Sequence, residues 1–184
     1  MRVLALSGSL RRASYNTALL RAAAEVAPQG VEVELYEGLA SLPPYDADSD
    51  VGTGPEPVRD LRERIAAADA LLVATPEYNG SIPGLLKNAV DWASRPFPGG
   101  ALGGKTVAVI GASTGQYGGM WAQAELRKSL GVAGARALAD GVAVPKAQER
   151  FDAGGRLLDE ALRDRLAALL AALAVEAAPV ATAA

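Results

Sequence analysis

Two stretches of this sequence gather groups that could hold a small charged ligand. The first, Ser7-Gly8-Ser9-Leu10-Arg11-Arg12-Ala13-Ser14-Tyr15-Asn16-Thr17, crowds hydroxyls and two guanidinium groups between an apolar run and a helical pattern. At a helix N-terminus, unpaired N–H groups and the positive end of the dipole attract an anion such as phosphate. The candidate donors are Ser9, Arg11, Ser14, Asn16 and Thr17. A plainer reading fits the same residues: Asn16 caps the helix and the serines fill turns, and spacing alone does not choose between the two. The second stretch, Thr75-Pro76-Glu77-Tyr78-Asn79-Gly80-Ser81-Ile82-Pro83-Gly84, sets an aromatic ring, an amide and a glycine between prolines. A stiff backbone with exposed N–H groups beside a flat apolar surface suits a planar heterocycle with alternating donors and acceptors. Taken alone, the segment reads first as a turn before a helix.

The residue types that are missing narrow the chemistry further. With no His and no Cys, thiolate nucleophiles, Cys or His zinc sites, dithiol redox motifs and any Ser-His-Asp triad are excluded. Redox chemistry would have to be carried by a cofactor, and no metal is expected. A formal charge of -3 leaves no broad cationic face to displace counterions from nucleic acid. The string Gly99 to Thr106 matches a nucleoside-triphosphate loop in letters, but it leads into a strand instead of following one. Gly8 lacks the following G-x-x-G of a dinucleotide fingerprint.

The elements that must position these groups are legible in the hydrophobic pattern. At 184 residues the chain is about one domain long. Strands are expected near Val3 to Leu6, Val31 to Tyr36, Ala70 to Ala74, Thr106 to Ile110, and Arg136 to Val144 with an irregularity at Gly141. Helical periods fall between them: Thr17 to Val26 with Leu19, Leu20, Ala23 and Ala24 inward, and Pro57 to Ala68 with Val58, Leu61 and Ile65 inward. Others begin near Pro83 and run through Trp121 to Leu130. The last covers Leu157 to Ala174, whose Leu158, Leu162, Leu166, Leu169 and Leu173 read as core. Strict alternation predicts an α/β fold: a doubly wound, five-stranded parallel sheet with helices on both faces, flavodoxin-like in order 2-1-3-4-5. In that order strands one and three are neighbours at the switch point, so the two polar stretches should face each other, flanked by Ala112 to Gly119. The segment Glu37 to Pro57 is a long loop of the kind that is usually functional or mobile. Residues 1–175 read as one domain and 176–184 as a disordered, alanine-rich tail.

The strings Gly8-Ser9-Leu10-Arg11 with Ser14 and Asn16, and Pro76-Glu77-Tyr78-Asn79-Gly80-Ser81-Ile82-Pro83-Gly84 with Leu86-Lys87-Asn88-Ala89-Val90-Asp91-Trp92, resemble the NADPH-dependent FMN reductase family. Gly104-Lys105, Ser113-Thr114-Gly115 with Gly118-Gly119, and Leu126-Arg127 extend the likeness over nearly everything before the alanine tail. The resemblance implies an FMN-binding enzyme with NADPH or NADH as electron donor. By the same likeness, Ser9, Arg11, Ser14, Asn16 and Thr17 would hold the phosphate. Pro76, Glu77, Tyr78, Asn79 and Gly80 would meet the flavin ring, and Ser113, Thr114 and Gly115 would line its pyrimidine side. Thr114 stands where the family often has proline.

The implied reaction passes hydride from nicotinamide to flavin N5 and on to a small acceptor: a quinone, free flavin, an azo compound or a chromate-like oxyanion. No side chain need serve as a base, so no catalytic residue is assigned. A homodimer or homotetramer follows from the same likeness. A non-enzymatic flavodoxin-like electron carrier is the alternative, disfavoured by the arginines of the first loop and the modest net charge. A cofactor-free receiver-like signalling domain would need acidic residues where Leu6 and Ser7 stand. The first apolar stretch is too short for a signal-peptide core and the last too short for a membrane span, which points to the cytoplasm.

Overall fold

The computed structural model describes residues 1–178. Strand β3 (Ala70–Ala74) and strand β4 (Thr106–Ala112) are buried along their whole length, because helices cover both faces of the sheet. With β1 (Arg2–Ser7), β2 (Glu32–Tyr36) and β5 (Arg136–Val144) they form one all-parallel sheet in the order β2-β1-β3-β4-β5. This is the expected flavodoxin-like α/β architecture. The two faces divide the helices: α1 (Tyr15–Glu25) and α5 (Glu160–Ala177) pack on Val3, Ala5, Leu72, Ala108 and Ile110. On the other face α2 (Glu56–Ala67), α3 (Gly84–Ala93) and α4 (Met120–Val132) cover Leu4, Leu6, Leu71, Val73 and Val109. Small strand residues on the first face leave room for Leu19 and Leu20 of α1 and the leucines of α5.

Several boundaries differ from expectation, each for a local reason. Helix α1 starts at Tyr15 because Ser14 Oγ accepts from Thr17 N at 3.3 Å, so Ser14 caps the helix and Asn16 does not. Ala22, not Ala24, completes its buried face, and Ala24 is exposed. Helix α5 starts at Glu160, where Asp159 caps it by accepting from Leu162 N at 3.1 Å. Leu157 therefore lies outside the helix, bridged to Phe151, and Leu158 is 57% exposed and not core. At the other end α5 runs on through Glu176 and Ala177, and the rest of the expected tail, 179–184, lies outside the described residues.

The long loop after β2 is held against α2 and α3. Trp92 Nε1 and Asn88 Nδ2 both donate to Pro43 O at 2.8 Å, and Arg62 forms an ion pair with Asp50 at 2.9 Å in a nearly buried setting. It contributes nothing to the cleft described below.

The irregularity of β5 falls where glycine predicted it. Register jumps from Val107↔Ala137 to Val109↔Gly141, leaving extra residues on β5 that form a bulge. Arg127 fills it, donating from Nε to Leu138 O at 3.1 Å and from Nη2 to Val109 O at 3.2 Å. Burial pushes the Arg127 pKa below its ordinary value, with Asp140 opposing. An added Cβ at Gly141 would collide with the Arg127 guanidinium and the Val109 carbonyl. Gly141→Ala should therefore cost roughly 1–3 kcal/mol of stability, read as a lower urea midpoint at unchanged slope.

Candidate active site

The carboxyl ends of β1 and β3 lie side by side, with Ser7 paired to Ala74, yet their following helices leave for opposite faces of the sheet. No helix fills the gap, and a cleft of about 270 Å³ opens there. Gly8 lets its walls approach: Gly8 N donates to Ala74 O at 2.8 Å, and a Cβ would press on Leu86, Pro76 and the Ala74 carbonyl at 3.1–3.2 Å. Of the expected site residues, Ser9, Arg11, Ser14, Asn16, Pro76, Glu77, Tyr78, Ser113 and Thr114 line this cleft. Tyr15 and Ala112 line it too, although their residue types gave no chemical signal.

The first wall presents unpaired donors. The N–H groups of Leu10, Arg12, Ala13, Tyr15 and Asn16 bond to no other described residue. The first turn of α1 carries no acidic side chain to neutralise its dipole. Arg11 lies over the Tyr15 ring, 5.2 Å from its centroid, and Tyr15 in turn packs on Phe151 with centroids 5.5 Å apart. Cation–π attraction thus holds the guanidinium over a ring that lines the cleft.

Two residues expected to bind directly are committed elsewhere. Buried Asn16 donates from Nδ2 to Ala112 O at 3.0 Å and accepts at Oδ1 from Ala112 N at 2.9 Å. It staples the first loop to the end of β4. Thr17 Oγ1 bonds Ser7 Oγ at 2.8 Å, below the cleft.

In the second wall, Asn79 (φ 54°) and Gly80 (φ 74°) occupy consecutive left-handed positions, while Tyr78 and Ser81 exchange backbone bonds at 3.0 and 3.1 Å. That geometry is the two-residue Asn-Gly turn of hairpins, and it puts Asn79 and Gly80 at an exposed tip outside the cleft lining. Glu77 Oε2 accepts from Trp121 N at 3.0 Å and Ala122 N at 3.1 Å, capping α4, whose own cap residue is glycine. Sequence spacing gave no sign of this cap, since its partners lie more than forty residues away.

The third wall is sewn to the chain after β5: Ser113 N donates to Val144 O at 3.1 Å, and Ser113 O and Gly115 O accept from Ala147 N and Lys146 N, each at 2.9 Å. Gly115 N turns inward to Ser113 Oγ at 3.1 Å, so Gly115 shapes the loop and does not line the cleft. The glycine-lysine string that mimics a triphosphate loop sits at the opposite end of the sheet. There Lys105 Nζ donates to Ala68 O at 2.6 Å just beyond the end of α2, and burial lowers its pKa, with Asp69 opposing.

Because Glu77 ties β3 to α4 with charge-assisted bonds, Glu77→Ala should lower stability by about 1–3 kcal/mol. Glu77→Gln, which keeps one acceptor oxygen, should lose less. Paired urea titrations measure both.

The chain is similar in sequence along most of its length to proteins of known name. It is 45% identical over 174 residues to an NAD(P)H-dependent FMN reductase of Pseudomonas aeruginosa, covering 94% of this chain and 93% of that protein. It is 43% identical over 131 residues to a quinone reductase of Escherichia coli, covering 71% of this chain and 69% of the relative. Among solved structures, the flavoenzyme NAD(P)H:(acceptor) oxidoreductase of Paracoccus denitrificans superposes with a TM-score of 0.84 at 35% identity, over 96% of each chain. The family of NADPH-dependent FMN reductases matches residues 1–149. The chain belongs to the NADPH-dependent FMN reductase family.

Proposed function

We propose that the chain is an NAD(P)H-dependent oxidoreductase that holds FMN in the cleft between the β1 and β3 loops and reduces quinones. The observation that carries this reading is the pairing, within one cleft, of an acid-free helix N-terminus ringed by free N–H groups with a stiff, aromatic-bearing turn. The donor set fits the cofactor. Phosphate would take free N–H groups among Leu10, Arg12, Ala13, Tyr15 and Asn16, the hydroxyls of Ser9 and Ser14, and the Arg11 guanidinium. The flavin ring would lie against Pro76 and Tyr78, within reach of the N–H groups of Glu77 and Thr114, which bond to no other described residue.

Bound there, FMN supplies the two-electron chemistry, accepting hydride from a nicotinamide and passing reducing equivalents to the acceptor. The residues of this chain supply position. Asn16 fixes the phosphate loop to β4, and Glu77 fixes the ring-side loop to α4. Of the residues lining the cleft, Glu77 alone carries a carboxylate, and its Oε2 accepts two N–H bonds. Quinones head the acceptor classes because two of the relatives are a quinone reductase and a 2-hydroxy-1,4-benzoquinone reductase. Free flavin, azo compounds and chromate-like oxyanions follow.

A homodimer or homotetramer is part of this proposal. The cleft is open to solvent on its outer side, where a neighbouring subunit could add a wall. A second, open groove of about 550 Å³ near α3 and α4 exposes Phe97 and Val132 among the charged Lys87, Asp91, Arg95 and Lys128, a mixed surface of the kind found at subunit contacts. Among the described residues no helix is long and apolar enough to cross a membrane. We place the activity in the cytoplasm, where a cysteine-free chain and a nicotinamide donor are at home.

Titrating FMN with protein and following flavin fluorescence tests the reading. Arg11→Ala should weaken binding by about 1.5–3 kcal/mol, roughly 10- to 150-fold. A parent protein that neither binds FMN nor oxidises NAD(P)H with any quinone overturns the proposal. Unchanged affinity in Arg11→Ala removes that residue from the phosphate site.

A further inference from the structure

Of the aromatic side chains that stand in solvent, three gather beside the cleft: Tyr78, Tyr117 and Trp121, each between 52% and 54% exposed. Their placement is fixed by the backbone. Trp121 N is held by Glu77, the neighbour of Tyr78, and Tyr117 O accepts from Met120 N at 3.2 Å. The rings of Tyr117 and Trp121 rest against each other with centroids 4.9 Å apart and planes inclined by 55°. One ring therefore braces the other, and the pair keeps its outer faces open. Neither the Trp121 indole N–H nor the Tyr117 hydroxyl bonds to a described residue, in contrast to buried Trp92, whose indole N–H is satisfied by Pro43. The carboxylate beside the pair, Glu77, is occupied by the N–H groups of α4.

We propose that Tyr117 and Trp121 form an aromatic shelf that binds the planar quinone acceptor at the edge of the flavin cleft. The inference rests on the flavin-reductase reading above and adds to it the residues that select the acceptor. A quinone is a flat π-system whose carbonyl oxygens accept hydrogen bonds. The outer faces of the two inclined rings offer aromatic surface for stacking or edge-to-face contact, with two spare donors beside it. Conversion of quinone to hydroquinone takes up one hydride, drawn through the flavin from NAD(P)H, and one proton from water. The shelf moves neither. It raises the occupancy of the acceptor next to the electron source and disfavours acceptors that lack a π-face.

The test uses the FMN-loaded protein with 1,4-benzoquinone as planar acceptor and ferricyanide as an acceptor without a π-face. Trp121→Ala should raise the KM for benzoquinone roughly 5- to 30-fold. Its kcat should change far less, and the KM for ferricyanide should move less than that for benzoquinone. Trp121→Phe, which restores a ring, should recover most of the loss, and FMN affinity should stay within about twofold of the parent, because the shelf lies outside the cofactor's donors. An unchanged benzoquinone KM with normal FMN binding overturns the shelf alone. So does an equal rise for both acceptors, or a loss confined to a change in oligomeric mass measured by light scattering, which would make the pair a subunit contact. Failure of the parent to bind FMN would instead sink the flavin reading itself.

Discussion

The structure depends on one topological constraint: two neighbouring parallel strands, β1 and β3, send their following helices to opposite faces of the sheet. A right-handed crossover allows α1 only on the face shared with α5, and α3 only on the face shared with α2 and α4. The carboxyl ends of the two strands are left uncovered, and their loops must carry their own polar groups or present them to a ligand. The free N–H groups of Leu10, Arg12, Ala13, Tyr15 and Asn16 are the consequence. Such groups are costly to bury without a partner, and a phosphate satisfies several of them at once.

An open crevice keeps its shape only if its walls are tied together, and each tie here is polar and long in sequence. Asn16 joins the first loop to Ala112 across 96 residues, and Glu77 joins the second loop to the start of α4 across 44. Gly8 removes the side chain that would otherwise hold the first two loops apart. These contacts commit the side chains of Asn16 and Glu77 to holding the loops in place. Where a cofactor performs the redox chemistry, holding donor and acceptor in register is the protein's main contribution.

Much of this was legible in the sequence, and the limits have physical causes. Strands buried on both faces produce apolar runs that stand out in any window, so β3 was placed at its true ends, and Gly141 announced the bulge in β5. The two polar loops stand out because each crowds hydroxyl, guanidinium, amide or aromatic groups between an apolar run and a helical pattern. Capping is less legible: Asn16 and Ser14 are both good caps, and only the fold decides that Ser14 takes the role while Asn16 is drawn to β4. Leu158 fits the leucine period yet faces solvent, because Asp159 starts the helix one residue later. The Glu77 cap and the Tyr117–Trp121 pair were invisible, since each depends on segments brought together by the sheet and not on local spacing.

The central claim, that the crevice between the β1 and β3 loops is the FMN site, is tested most directly by a crystal structure of the chain grown with FMN. The account predicts the phosphate within hydrogen-bonding distance of Ser9, Ser14 and the first turn of α1, with the ring against Pro76 and Tyr78. Flavin density at any other place, with this crevice left to solvent, would contradict it.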